Sequence, residues 1–371
     1  MLFSIAVPVL GQAGFISTAL ASIKAQGCRH ELAVMDASPD RSVQEILDHY
    51  PGILHYRRHG PDAGQAAAIQ EGWDRTSGDV VAWLCADDYY FPGALDAVAT
   101  VFEANPEIDV VYGDSVFVNR DGNFLGYFPE IRDVDESLFY NCCISQPSCF
   151  VRRSALARAG KLNSDLHYVM DWDFWVRLYK TGARFYYLKQ PLSAVRIYDE
   201  TKTSSRSARR YKEINDLLKA NTSFFRRCKS LLGFLHYDLL NCKRSMTDEV
   251  MLTLLNGGKS AMRYFSGKSN ADRKSLYGIE PYTGRVVGEC DVFLPYYGTQ
   301  DPQCIKVTCR NVLSIQANVN GTSAMSSISF QESDRVEFLV QAENIAKTNL
   351  IHLKLKSESS APWKLSSVYL S

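Results

Sequence analysis

Short apolar runs alternate with stretches of helical spacing through the first half of the chain. Phe3–Val9 predicts a strand, and Gly14–Ala25 a helix with Phe15, Ala19 and Ile23 on one face. Glu31–Met35 predicts a second strand, followed by the turn-rich Asp36-Ala37-Ser38-Pro39-Asp40. Val43–His49 has helical spacing and Ile53–Tyr56 reads as a third strand. After the loop Gly60-Pro61-Asp62-Ala63-Gly64 come a helix, Gln65–Trp73, and a fourth strand, Val80–Leu84. Pro92–Ala104 is helical, with Pro92 near a position where its missing N–H does no harm, and Val110–Tyr112 is a further strand. Repeated strand–helix units predict an α/β domain with a mostly parallel, doubly wound sheet. Its strand-following loops gather on one edge, where open α/β sheets bind ligands.

The pattern changes at about Arg206. Ile214, Leu217, Leu218, Phe224, Phe225, Leu231, Leu232 and Leu235 recur at helical spacing among Arg209, Arg210, Lys212, Lys219, Arg226, Arg227 and Lys229. Lys243, Arg244, Lys259, Arg263, Lys268, Arg273 and Lys274 extend the basic bias. Such a region either packs its apolar face on a core and solvates its charges, or lies on an anionic membrane surface. Nucleic acid is not expected as a partner, because no stacking platform of aromatics accompanies the basic residues. From Ser275 onward, Arg285–Leu294, Cys304–Cys309, Leu313–Val319, Arg335–Val340, Leu350–Lys356 and Lys364–Leu370 are short, partly alternating strands between turn residues. They predict an antiparallel β-sandwich. The expected organisation is a catalytic domain over residues 1–205, a basic amphipathic helical region over 206–274, and a β-sandwich over 275–371.

Composition narrows the class without choosing a partner. The 371 residues, 46% hydrophobic and 22% charged with zero formal net charge, are ordinary for a globular protein. The start lacks a basic n-region and reads as a strand rather than a signal peptide, and no apolar run reaches the length of a membrane span. The ten cysteines form no CxxC pair and are read as reduced thiols, mostly in the core of a cytoplasmic protein.

Chemistry concentrates at strand ends. Val80–Leu84 runs through Cys85-Ala86 into Asp87-Asp88. Two adjacent carboxylates repel unless a cation neutralises them. Mn2+ or Mg2+ suits carboxylate oxygen and leaves positions for phosphate. The plain alternative is a capping pair before Pro92. Asp36, Asp62 and Gly64 close two other strands, a layout suited to a nucleotide. Asp171-Trp172-Asp173-Phe174-Trp175 opens a helix, so Asp171 is either a cap or a general base placed near a reacting hydroxyl. Gln146, just before the apolar Cys149-Phe150-Val151, and Arg196 are candidate sugar and phosphate contacts, with a turn and a surface ion pair as the respective alternatives.

These segments resemble the family 2 glycosyltransferases with the A-type fold, in the branch that builds bacterial cell-surface polysaccharides. The resemblance rests on Ile5-Ala6-Val7-Pro8-Val9, Val34–Asp40, Pro61–Ala66, Gly78–Asp88, Pro92–Leu95 and Met170–Leu178, in the family's order over about residues 1–205. It implies inverting transfer from a nucleotide sugar, most often a UDP-sugar, to a glycan or polyprenyl-linked acceptor. Pro8, Val9, Asp36, Asp62, Gly64 and Gln65 would line the donor. Asp87 would lie near ribose or diphosphate, and Asp88 with Asp87 would hold Mn2+ or Mg2+. Asp171 would be the base, with Gln146, Trp172, Asp173 and Arg196 as further acceptor or phosphate contacts. A cytoplasmic enzyme, peripheral at the inner face of the cell membrane through 206–274, is the expected setting.

Departures from the family pattern bear on the donor more than on the reaction. Leu10-Gly11 stand where Tyr-Asn is common, the loop after Asp36 is one residue short, and Cys85 replaces an Asp or Asn, leaving the metal to Asp87 and Asp88 alone. Gln70 replaces a common Asn and Tyr198 a common His. Two other readings meet obstacles in the sequence. A nucleotidyltransferase would carry a basic Gly-rich loop after the first strand, and Leu10–Phe15 has no Lys or Arg. A degenerate glycan-binding protein would not need Asp36, Asp87, Asp88 and Asp171 intact. The sandwich itself either binds glycan or packs on the catalytic domain.

Overall fold

The computed structural model describes residues 1–128, 133–202, 207–241, 275–280, 283–298, 302–332, 334–342, 345, 349–359 and 361–370. The basic residues Arg206, Lys243, Arg244, Lys259, Arg263, Lys268, Arg273 and Lys274 lie outside them. The chain forms two compact units. One comprises Met1–Val134, Cys143–Arg196 and Ser275–Ser371; the other comprises Asp135–Cys142 and Ile197–Lys274.

In the first unit the order is β1 (Phe3–Val9), α1 (Ala13–Lys24), β2 (His30–Asp36), α2 (Ser42–Leu47), β3 (Leu54–His59), α3 (Gln65–Asp74), β4 (Val80–Trp83) and β5 (Tyr89–Tyr90). There follow α4 (Ala94–Ala104), β6 (Val110–Val118), β7 (Phe124–Tyr127), β8 (Cys149–Arg152), α5 (Arg153–Ala159), α6 (Met170–Lys180) and β9 (Phe185–Arg196). Strands β3, β2, β1 and β4 are parallel neighbours in that order. Antiparallel β8 joins β4 to β6, β9 runs parallel to β6, and short β5 pairs with β9. The predicted mostly parallel sheet is therefore present. Every residue of β1 is buried, as expected of a central strand covered on both faces. Helix α3 comes so close that a Cβ on Gly72 would sit 2.6 Å from Met35 Cε. Strand β9 has weak sequence signal because Lys189-Gln190-Pro191 interrupts it. The ladder to β6 shifts register there, so the proline needs no ladder donor.

The predicted sandwich is also present: β10 (Arg285–Val286), β11 (Glu289–Pro295), β12 (Ile305–Arg310), β13 (Ile315–Val319), β14 (Thr322–Glu332), β15 (Arg335–Gln341), β16 (Leu350–Ser357) and β17 (Trp363–Leu370). One layer pairs β15 and β17 with β12; the other pairs β11 and β13 with β16. Alternate residues point inward: Val292 and Leu294, Ile351 and Leu353, Val307 and Cys309, Val336 and Phe338 are all buried. Strand β14, missed by pattern, starts on β13 and finishes on β15, crossing between layers. Its Ser-rich sequence leaves nearly every position exposed, so no alternation marks it. The sandwich and the parallel-sheet domain share this unit. Val368 of β17 pairs with Phe124 of β7. Buried Asp114 accepts from the hydroxyls of Tyr187 on β9 and Tyr277 just before β10, both at 2.5 Å.

In the second unit, α7 (Ala208–Asn221) buries Ile214, Leu217 and Leu218, and Ser207 Oγ caps it by accepting from Arg210 N. Its cations are mostly answered locally. Arg210 is buried in a 2.5 Å pair with Asp238, Arg209 pairs with Glu213 and Lys212 with Asp216. Helix α8 (Phe224–Asn241) instead exposes Phe224 and Phe225, at 62% and 84%. Among the described residues, no helix is long and apolar enough to cross a membrane.

Candidate active site

The ends of β1, β2, β3 and β4 supply the site's frame. Val9 O accepts from Ala37 N, and Gly11 N donates to Ser38 Oγ, both at 2.9 Å, so the loops after β1 and β2 are tied together. Pro8 and Val9 are buried in β1, while Leu10 projects at 67% exposure. Asp36 is fully buried. Its Oδ1 accepts from Ser38 N, and its Oδ2 accepts from Gln44 Nε2 and His59 Nδ1, each at 2.9 Å. Burial works to raise its pKa, but the bonds from Ser38, Gln44 and His59 outweigh that and hold it below the usual carboxylate range. The expectation that Asp36 touches the nucleoside therefore needs correcting. With no surface and both oxygens engaged, it ties the strand ends together from beneath.

Asp62 turns back to accept from Gly64 N at 2.8 Å, and Arg58 lies 3.4 Å from its other oxygen and 2.9 Å from Glu71. Gly64 sits at φ 105° immediately before α3, a conformation that favours glycine. Gln65, the first residue of α3, then reaches across to β4, its Nε2 3.3 Å from Cys85 Sγ. Arg58, His59 and Gln44 were not predicted as site residues. The one available signal was the polar run Arg57-Arg58-His59 that closes β3 beside the Asp62 loop.

The ligating atoms of Cys85, Asp87 and Asp88 all lie within 4.8 Å of one another. The expectation of a carboxylate pair alone is thus extended: the thiol stands in the same cluster. Asp88 is 6% exposed, and its Oδ1 accepts from Arg196 N at 2.9 Å. Burial and then the neighbouring Asp87 charge push its pKa well up, and Arg196 only partly opposes them. Arg196 is not placed as a phosphate hand. Its Nε donates to Asp87 O and its Nη1 to Arg120 O, and the guanidinium stacks over Phe15 and Tyr89. It braces the acidic loop. Gln146 does the same from the turn before β8. Its Nε2 donates to Trp83 O at 2.7 Å, and its Oε1 lies 3.5 Å from Cys85 Sγ.

Asp171 lies in the first turn of α6, half-buried, with one oxygen accepting from Trp172 N. One turn later Trp175 stacks on Trp83, the last residue of β4, with ring centroids 5.5 Å apart. Trp73 of α3 packs edge-on against Trp83 and beside Phe174. This aromatic layer seats α6 on the strand that delivers Asp87 and Asp88, so the two acidic stretches share one anchor. Trp172 is buried, and Asp173 pairs with Arg177 at 2.8 Å, whose Nη1 holds Ala159 O.

Residues 4–160 match the family described as Glycosyl transferase family 2. The N-terminal part of this chain is a family 2 glycosyltransferase domain. Similar proteins bear names of the same kind. A PGL/p-HBAD biosynthesis glycosyltransferase of Mycobacterium tuberculosis is 29% identical over 188 residues, covering 49% of this chain and 71% of that protein. The O-antigen biosynthesis protein RfbC of Myxococcus xanthus is 28% identical over 155 residues, 42% of this chain and 12% of that one. The structure of S. aureus TarS 1–349 in complex with UDP-GlcNAc resembles the glycosyltransferase at a TM-score of 0.51 and 18% identity, over 70% of this chain and 80% of TarS 1–349. At that identity the likeness is one of fold, and it agrees with the A-type sheet described above.

Proposed function

We propose that this glycosyltransferase transfers a sugar with inversion from a UDP-sugar to a hydroxyl of a glycan or polyprenyl-linked acceptor, with a divalent ion held at Asp87 and Asp88. The observation that carries the reading is Asp88: a buried carboxylate beside a second one, accepting from the backbone N–H of Arg196. Carboxylate oxygens suit Mn2+ or Mg2+, and a cation there would offset the repulsion that raises the Asp88 pKa. When bound, such an ion neutralises charge on the leaving diphosphate. The chain's own residues do the rest. Pro8, Val9, Asp62, Gly64 and Gln65 border the donor, with Asp36 beneath them. The Asp171 carboxylate takes the proton of the acceptor hydroxyl as that oxygen attacks the anomeric carbon. The bond from that carbon to the diphosphate breaks on the opposite face, which inverts the centre. Glycosidases use two carboxylates to activate water instead, and need no nucleotide.

Calorimetric titration with UDP, GDP and ADP, with and without Mn2+, tests the reading. Metal-dependent binding selective for UDP is expected, and UDP-GlcNAc is the first donor to try. Binding of another nucleotide would move the donor. No nucleotide binding would refute the transfer chemistry and favour the degenerate, glycan-binding alternative.

A peripheral position at the inner face of the cell membrane is part of the same proposal. Phe224 and Phe225 are exposed at the start of α8 beside Arg226 and Arg227, which suits an anionic bilayer surface. Phe224→Ser with Phe225→Ser should abolish co-sedimentation with phosphatidylglycerol vesicles. Unchanged co-sedimentation would remove α8 from that role.

A further inference from the structure

Strand β5 follows Asp88 directly, and its two residues are gripped from three sides. From α1, Ser22 Oγ accepts from Tyr90 N at 3.1 Å. Along the sheet, β5 pairs with Ser193 and Ala194 of β9, two residues before the Arg196 that holds Asp88. The third grip comes from the sandwich. Tyr297, just past β11, donates its hydroxyl to Tyr90 O at 2.9 Å and sets its ring edge-on against Tyr89, centroids 6.3 Å apart. Tyr89 in turn lies under the Arg196 guanidinium, 5.3 Å from its centre. A hydrogen bond made from more than two hundred residues away in sequence therefore ends two residues from the proposed metal carboxylates.

We propose that Tyr297 is a positioning residue for the ion site, so that the sandwich is a working part of the catalytic centre. It fixes β5, and through β5 and the Arg196 layer it fixes the direction in which Asp87 and Asp88 present their oxygens. Outer partners of this kind tune metal affinity because a ligand that must be re-ordered on binding binds more weakly. The sandwich does not depend on this contact to stay docked. Tyr277 holds Asp114, Tyr127 OH donates to Asp291 O at 3.0 Å, and β17 pairs with β7. Loss of the Tyr297 hydroxyl therefore loosens the acidic loop without releasing the module. The inference rests on the reading of Asp87 and Asp88 as metal carboxylates.

The test is calorimetric titration of the full chain with Mn2+ in the presence of UDP, for wild type, Tyr297→Phe, Tyr297→Ala and Asp88→Ala. Tyr297→Phe keeps the ring and loses the hydrogen bond. It should weaken Mn2+ binding about five-fold, the worth of one such bond, with kcat recovering at saturating Mn2+. Tyr297→Ala should weaken it further, and if it fails to fold the phenylalanine variant decides alone. Wild-type Mn2+ affinity in Tyr297→Phe would overturn the positioning role and leave the metal reading intact. A kcat deficit that saturating Mn2+ does not repair would also overturn it, because a general structural defect is not rescued by the ion. Wild type binding Mn2+ no better than Asp88→Ala would overturn the metal reading and this inference together.

Discussion

Asp36 and Asp88 stand on opposite sides of β1, at the ends of β2 and beyond β4, and both are shielded from water. Asp36 receives Ser38 N, Gln44 Nε2 and His59 Nδ1, and its pKa is held down. Asp88 receives Arg196 N and faces Asp87, and its pKa is driven up. The same side chain at the same kind of strand end is thus fully engaged by donors in one place and only partly compensated in the other. Burial alone does not mark a functional carboxylate. On the proposed reading, the metal carboxylate is marked by burial with fewer donors than the charge requires and a like charge beside it.

The sharpest way to break this contrast is by activity. Asp88→Ala and Asp171→Asn should each lower transfer by about a thousand-fold with the fold intact, read as nucleotide release from the donor. Full activity in either would remove its assigned role. Stability should separate the two strand ends in sign. Asp36→Asn turns an amide N–H toward existing donors and should cost about 2–3 kcal/mol in urea unfolding. Asp88→Asn removes like-charge repulsion while its amide oxygen can still accept from Arg196 N, so metal-free protein should gain about 1 kcal/mol. Equal signs would mean the two environments do not differ as described.

Acid unfolding sharpens the comparison further. Because the folded pKa of Asp36 is depressed, its stabilisation is fully present above the unfolded value of about 3.9 and is lost as pH falls through the folded value. The stability difference between wild type and Asp36→Asn should accordingly shrink on acidification below about pH 4, measured by unfolding at stepped pH. The smallest expected effect is Gln44→Leu. It removes one of the three donors and should cost about 1 kcal/mol, while raising the Asp36 pKa as followed by carboxyl carbon NMR. A loss as large as that of Asp36→Asn would show that Gln44 does more than donate to Asp36.

Much of the frame is legible in the sequence. The apolar runs of β1, β2 and β4 and the helical spacing of α1, α3, α4 and α6 mark themselves, because burial on a sheet and burial along a helix impose different periods. The sandwich strands β11, β12, β15 and β16 alternate so regularly that their inner faces are evident. Weaker elements were missed for local reasons. Strand β5 has two residues, β14 is exposed on nearly all of its length, and β9 is interrupted by a proline-containing bulge.

The site divides in the same way. That Asp36, Asp62, Asp87, Asp88 and Asp171 fall at strand ends and a helix start is a property of the chain's own pattern, as is the family 2 order of those segments. Which of them is satisfied could only be decided by folding. Two of the three donors to Asp36 come from 8 and 23 residues away, the donor to Asp88 from 108, and the hydroxyl that steadies Tyr90 from 207. Arg196 was legible as a cation but became a brace, and Cys85 was legible as a departure but became a member of the acidic cluster. Local sequence sets where charge is placed along each strand. Hydrogen-bond partners and desolvation are properties of the assembled sheet, and they alone determine what each charge is for.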